Sequence, residues 1–178
     1  MKNLKLQHKT ESLSVNSDGN DTKSPLGAEF SNFHIRTITE FASQDSLLLD
    51  GTVNGKAEVK GLFTKPLFTS DLKIQDLAYK TDTVGNLVLK VDNEEQNAFA
   101  AHILLNGRDN DVQVDGKYFS GESKMDLNIK LNQLNLASFK SLAASQIKDM
   151  KGYLKGTLHA SGNLDKPVLR GSLYFDSA

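Results

Sequence analysis

Residues 51–66 read GTVNGKAEVKGLFTKP and residues 152–167 read GYLKGTLHASGNLDKP. Gly51, Gly55, Gly61, Lys65 and Pro66 return as Gly152, Gly156, Gly162, Lys166 and Pro167, each 101 positions later, so the two stretches align without a gap. The correspondence runs on downstream, with Leu72 over Leu173 and Ile74 over Phe175. Upstream, Ile35, Ile38 and Phe41 lie over Leu136, Phe139 and Leu142. The expectation is one architectural unit used twice, over about residues 28–77 and about residues 129–178, with connecting strands over about residues 78–128.

Between the glycines the residues alternate. Val53, Ala57 and Val59 fall on one side, and Asn54, Lys56, Glu58 and Lys60 on the other, which is the period of a half-buried strand. A glycine inside a strand marks a bulge, a bend or a close backbone approach, so Gly55 and Gly156 predict strands that curve. Lys-Pro then ends the strand, because proline has no N–H for the ladder and holds its predecessor extended. Charges interrupt the GxxxG spacing, which sets aside a membrane helix pair.

The same alternation recurs outside the repeat. Leu4 and Leu6, then Leu13 and Val15, predict a hairpin, and Asn16-Ser-Asp-Gly-Asn-Asp reads as a turn cluster rather than a calcium loop. Strands are predicted at about 68–77, 84–92, 97–106, 111–119 and 124–132, with turn chemistry at Asn106-Gly107 and a turn or bulge at Asp115-Gly116. Apolar spacing of three predicts short helices from Ile35 to about Gln44 and from Leu136 to Ile147. The fold class expected is therefore all-β with two short helices. The sheet is mainly antiparallel, since strands covered on both faces would read as continuous apolar runs. Two short helices cannot cover ten or so strands. A sheet that wide curls, splits or encloses a space, and an elongated curved sheet forming a trough is the expectation.

Composition narrows the function. At 178 residues the chain suits one domain, and 21 basic against 22 acidic residues give a net charge of −1, without the clustered Lys and Arg of a nucleic-acid surface. There is no cysteine, so disulfides and thiolate metal sites are excluded. No apolar run reaches the length of a membrane span, and MKNLKLQHKTESL alternates as a strand instead of presenting a signal peptide's apolar region. With a strand starting at once and the second unit stopping at Asp176-Ser-Ala, the sequence reads as an excised piece of a longer repeat protein with Met1 as an added start.

No catalytic motif rises above background. His8, His34, His102 and His159 are isolated in sequence and read as polar strand residues, not metal ligands. Ser70-Asp-Leu-Lys73 and Ser145-Gln-Ile-Lys148 match S-x-x-K, but the companion motifs of the penicillin-recognising enzymes are missing. Asn20-Asp-Thr is formally a glycosylation sequon. The expectation is a non-enzyme with no cofactor and no metal.

The G-x-x-x-G-x-x-x-x-x-G-x-x-x-K-P element, followed by Leu169-Arg-Gly-Ser-Leu-Tyr-Phe, resembles the TamB family of the AsmA-like superfamily, in the style of its Bacteroidota members. The second copy carries the family's further glycine as Gly171, whereas the first has Ser70 there; Asp115-Gly-Lys-Tyr-Phe and Leu134-Asn-Leu-Ala-Ser-Phe are also similar. The resemblance implies a trough-shaped sheet, often called a β-taco, in a periplasmic segment of an inner-membrane-anchored protein that reaches an outer-membrane barrel of the TamA or BamA type. It also implies a translocation and assembly module, with an apolar groove that moves phospholipid between the two membranes and supports outer-membrane biogenesis. The groove residues expected are Leu87, Leu89, Val91, Phe99, Ile103, Leu105, Leu127, Ile129, Leu131, Leu158, Leu173 and Phe175. Two other readings stand beside the lipid conduit: a chaperone-like scaffold for outer-membrane strands, which needs an exposed sheet edge, and a closed β-sandwich serving adhesion or structure.

Overall fold

Eleven strands joined one to the next form a single sheet whose spatial order is the chain order, β1 through β11, with every neighbouring pair antiparallel. They are β1 (Lys2–His8), β2 (Glu11–Ser17), β3 (Leu26–His34), β4 (Leu49–Lys60), β5 (Leu67–Tyr79), β6 (Asp82–Glu95), β7 (Ala98–Gly107), β8 (Asn110–Phe119), β9 (Lys124–Asn135), β10 (Tyr153–Asn163) and β11 (Lys166–Asp176). The computed structural model describes residues 2–19, 24–37, 49–61, 66–95, 97–142 and 150–177. The sequon at Asn20, the end of the polar cluster at Asp21, and Ser145 and Lys148 lie outside these residues.

The sheet is open. β1 and β11 do not meet, and among the described residues no second sheet faces the first. Ten gaps between strands at about 4.8 Å set the outer strands about 48 Å apart measured along the sheet. The accessible surface is 11602 Å², roughly a third above the ~8,500 Å² of a compact protein of 19.5 kDa. That excess is what a single layer produces, because each strand has neighbours on two sides rather than in a packed core.

The two glycine-punctuated hairpins share one register. Phe30, Gly55 and Leu72 stand opposite one another on β3, β4 and β5; Leu131, Gly156 and Leu173, each 101 positions later, do the same on β9, β10 and β11. The irregularity also recurs: an extra residue lies between Phe30 and Phe33 against β4, and another between Leu131 and Leu134 against β10. Gly55 and Gly156 have φ of +123° and +137°. A Cβ on Gly55 would penetrate the carbonyl oxygen of Asp71, and one on Gly156 that of Ser172, so the neighbouring strand approaches where only glycine fits.

Helical structure is less than the spacing predicts. Only residues 35–37 of the first expected helix are described, and they are helical; Ile38 and Phe41 lie outside. In place of an α-helix from Leu136, a 3-10 helix spans Leu136–Leu142, interrupted at Phe139 (φ −123°, ψ 19°), and Ala143 and Ile147 lie outside the described residues. Its ends are tied to strands. Asn135 Oδ1 accepts from the Ala137 N–H at 3.0 Å in an N-cap, and Asp82 accepts from the Ser141 N–H at 2.5 Å. Such short, anchored pieces favour the tighter winding. Beneath it, buried Asn110 donates to the Val84 carbonyl at 2.7 Å and to Ser138 Oγ at 3.1 Å while accepting from the Asn135 N–H at 2.7 Å.

Two turn expectations shift. The β7–β8 turn is made by Arg108 and Asp109, both at positive φ (54° and 61°), rather than by Asn106-Gly107, which still belong to β7. Paired positive φ values are those of the turn that matches strand twist. Asp115-Gly116 is neither turn nor bulge: Gly116 pairs in unbroken register with Ala101 and Leu127.

The glycine geometry gives a stability test. Gly156→Ala is expected to lower stability by about 1–3 kcal/mol from forced backbone strain. Gly27→Ala, whose added carbon meets nothing nearer than 4.0 Å, changes it by less than about 0.5 kcal/mol. Urea melts of both variants provide the check.

Candidate functional site

Because directly opposed residues of an antiparallel pair share a face, the registers can be followed from strand to strand. Leu6, Leu13, Phe30, Gly55, Leu72, Leu89, Ile103, Val114, Ile129, Leu158 and Gly171 form one line across all eleven strands. Two residues along, Leu4, Val15, Ala28, Ala57, Ser70, Val91, Ala101, Gly116, Leu127, Ala160 and Leu169 form a second. A third, on the other side of the first, runs Phe33, Val53, Ile74, Leu87, Leu105, Val112, Leu131, Gly156 and Leu173. Ser70 is the one residue in these lines that is neither apolar nor glycine.

All twelve residues expected from the sequence fall on this face. Ten of them stand in the three lines. Phe99 alternates with Ala101 on β7, and Phe175 alternates with Leu173 and pairs with Leu154. The expectation missed the N-terminal half, including Phe30, Val53, Leu72 and Ile74, together with Val112 and Val114. The alternation of Val112 and Val114 with Asp111, Gln113 and Asp115 was the signal available for the last two.

Burial along the face is uneven. The 3-10 helix contacts β5 and β6; Phe33, Val53 and Leu131 of the third line are buried, and so are Ala160 and Ser70 of the second and Phe99 on β7. In the first line Leu72, Leu89, Ile103, Val114, Ile129 and Leu158 are only half-buried. At β11 the covering fails, with Leu173 and Phe175 43% and 55% exposed. The second line carries small residues at Ala28, Ala57, Ser70, Ala101 and Gly116, with the larger Val91 among them on β6. Ser70 Oγ is buried there without a hydrogen-bond partner.

The opposite face is a polar ladder. Lys5, Ser14, Glu29, Lys56, Asp71, Lys90, His102, Asp115, Asn128, His159 and Arg170 stand opposite one another in sequence across the sheet. Signs alternate through much of it, and Lys56 meets Glu29 at 3.7 Å. Open depressions on this side, one lined by Glu29, Lys56, Glu58, Asp71 and Asp92 and another by Asp115, Lys130, His159 and Arg170, mix both signs. Neither offers the single-signed surface that a phosphate chain requires.

The histidines stand on four different strands. His102 bonds Asp115, His159 Nε2 lies 2.6 Å from Asp126, and His34 lies 3.6 Å from Glu11. Each pair ties one strand to the next. The hydrogen bond from His102 holds the Asp115 carboxyl below the usual carboxylate range, opposed by partial desolvation and assisted by Gln113 at 2.7 Å. Ser70 and Lys73 of the S-x-x-K match lie on opposite faces of β5, since an odd separation along a strand reverses the side, and they cannot act together.

No family model, curated protein or solved structure matches the chain.

Two outcomes follow from these contacts. Ser70→Ala removes a buried hydroxyl that bonds nothing and is expected to raise stability by up to about 1 kcal/mol in a thermal melt. Asp115 is expected to titrate below its ordinary 3.8 in a carbon-detected NMR titration, and His102→Ala to raise its midpoint. A depressed folded-state value stabilises the protein above the unfolded-state pKa, and this contribution fades as pH falls through the folded one.

Proposed function

We propose that this chain is a wall segment of an apolar trough that carries phospholipid acyl chains between two membranes, in the manner of the TamB family it resembles. The observation that supports the reading is the unbroken apolar line from Leu6 to Gly171, which runs perpendicular to the strands, half-exposed, with no charged side chain in it. Lipid moving along that line would meet eleven strands in succession without meeting a charge. Burying each CH₂ is worth about 0.8 kcal/mol, so a chain of about 16 carbons crossing water bare would face a barrier of roughly 12 kcal/mol, most of which such a wall removes.

On this reading the shared register of β3–β5 and β9–β11 is a duplicated unit that extends the wall, and the strand glycines bend the sheet so that the apolar face becomes concave. The chain would belong to an inner-membrane-anchored protein working with an outer-membrane barrel, and it performs no bond chemistry of its own. The open edges at β1 and β11 favour a second reading, a scaffold that holds outer-membrane strands by adding them to the sheet. A closed sandwich has no second layer among the described residues.

Native mass spectrometry of the isolated chain is expected to find co-purified phospholipid. Leu89→Asp and Ile129→Asp place a carboxylate on a half-buried line where it reaches water, so both variants are expected to keep the fold in circular dichroism melts while losing the bound lipid. Unfolding of both, as a dry interior would demand, counts against the trough.

A further inference from the structure

Because spatial order is chain order, the connections β1–β2, β3–β4, β5–β6, β7–β8 and β9–β10 all lie at one margin of the sheet and the remaining ones at the other. The two margins differ in charge. Among the described residues, every connection at the first margin holds a base, Lys9, Arg36, Lys80, Arg108, then Lys140 and Lys151, with Asp109 the one acid. The described connections at the second hold Asp18, Glu122 and Asp165 and no base. Over the full sequence of the connections the sign persists, with seven bases against four acids at the first margin and two against four at the second. Three of the bases stand at a backbone cost. Lys9, Lys80 and Arg108 open two-residue turns at φ of 54°, 55° and 54°, where glycine or asparagine is the ordinary choice. All three are exposed, and none has an ion-pair partner among the described residues. The acids at the neighbouring strand ends, Glu11, Asp50 and Asp82, are engaged by Thr37, Arg36 and Ser141.

We infer that the basic margin is a track for the phosphate of an anionic phospholipid whose acyl chains lie on the adjoining apolar face. The inference rests on the trough reading above and adds to it the class of lipid and the way round it lies. Successive connections of one margin are two strands, about 10 Å, apart. A lipid moving perpendicular to the strands therefore passes from one cation to the next while its chains stay on the apolar lines. The depth also fits. Arg108 stands three residues, at most about 10 Å, beyond Leu105 of the third apolar line, a gap that a flexible basic side chain and the glycerol esters between phosphate and hydrocarbon span together. The acids of the opposite margin repel the same phosphate, which fixes the orientation.

The test offers the whole chain vesicles of phosphatidylglycerol or of phosphatidylcholine with the same acyl chains, and native mass spectrometry at low salt measures the lipid taken up. Uptake of both is expected, with phosphatidylglycerol favoured about fivefold, the worth of one cation beside an anionic headgroup. Lys9→Asn, Lys80→Asn and Arg108→Asn together are expected to abolish this preference and leave phosphatidylcholine uptake unchanged. Asparagine suits the left-handed turn position better than the native residues, so the fold survives, as circular dichroism verifies. Lys56→Gln, Lys73→Gln and Lys90→Gln remove the same charge from exposed positions on the polar face and are expected to keep the preference. Equal uptake of the two lipids by the native chain, or loss of preference in both triple variants alike, overturns the track and leaves the apolar wall standing. Uptake of neither lipid overturns the wall and the track together. Inorganic phosphate in excess, at constant ionic strength, is expected to leave the bound lipid in place; displacement makes the margin a site for the free anion and also overturns the inference.

Discussion

Register is the constraint on which this molecule depends. A strand has a side-chain period of two, so a slip of one residue in any hairpin would carry that strand's apolar set to the wet face and its charges to the dry one. In a sandwich or an α/β fold, packing against another layer would correct such a slip. Here the sheet has the 3-10 helix over one end and little else among the described residues, so correct placement rests on the pairing of neighbours and on local devices. These devices are visible: short turns such as Arg108-Asp109, the extra residues in β3 and β9 that step the pairing at one defined point, and glycines that let adjacent backbones close where a side chain would collide.

The polar ladder serves the same end from the other side. Surface ion pairs contribute little to stability, yet a row in which Glu29 meets Lys56, Asp71 meets Lys90 and His102 meets Asp115 penalises misaligned pairings by bringing like charges together. Specificity of alignment, more than strength, is what these cross-strand pairs supply. The buried node around Asn110 does comparable work at the helical end, because three hydrogen bonds on one amide fix the 3-10 helix to β6 and to the end of β9.

Much of this was legible in the sequence, for a physical reason: in a single-layer sheet with one wet face, burial and alternation carry the same signal. Leu87, Leu89 and Val91 declare their face by their neighbours, and so do Leu127, Ile129 and Leu131. The duplicated glycines also showed where the backbone would be special, although not that each would sit against a carbonyl oxygen of the next strand. What failed did so where local chemistry competes. Asn106-Gly107 is the stronger turn dipeptide, but the length of β7 carried the turn two residues on, to residues that adopt positive φ at some cost. The apolar spacing after Leu136 was that of an α-helix, whereas side-chain anchors at Asn135 and Asp82 wound it tighter. Ser70 could not be singled out, since a serine on a strand is ordinary until its hydroxyl is seen to be buried and unbonded.

Chain order and spatial order coincide in this sheet, and that governs how it would respond to force. Pulled by its ends, the molecule bears load on β1 and β11 first, and each hydrogen bond in the outermost ladder is opened in turn instead of being sheared together with its neighbours. Resistance to extension would then come as a series of low, hairpin-sized steps advancing inward from both margins, in contrast to the single high rupture of a domain whose terminal strands are clamped side by side. Strands of this kind can be drawn off or laid down one at a time at small mechanical work.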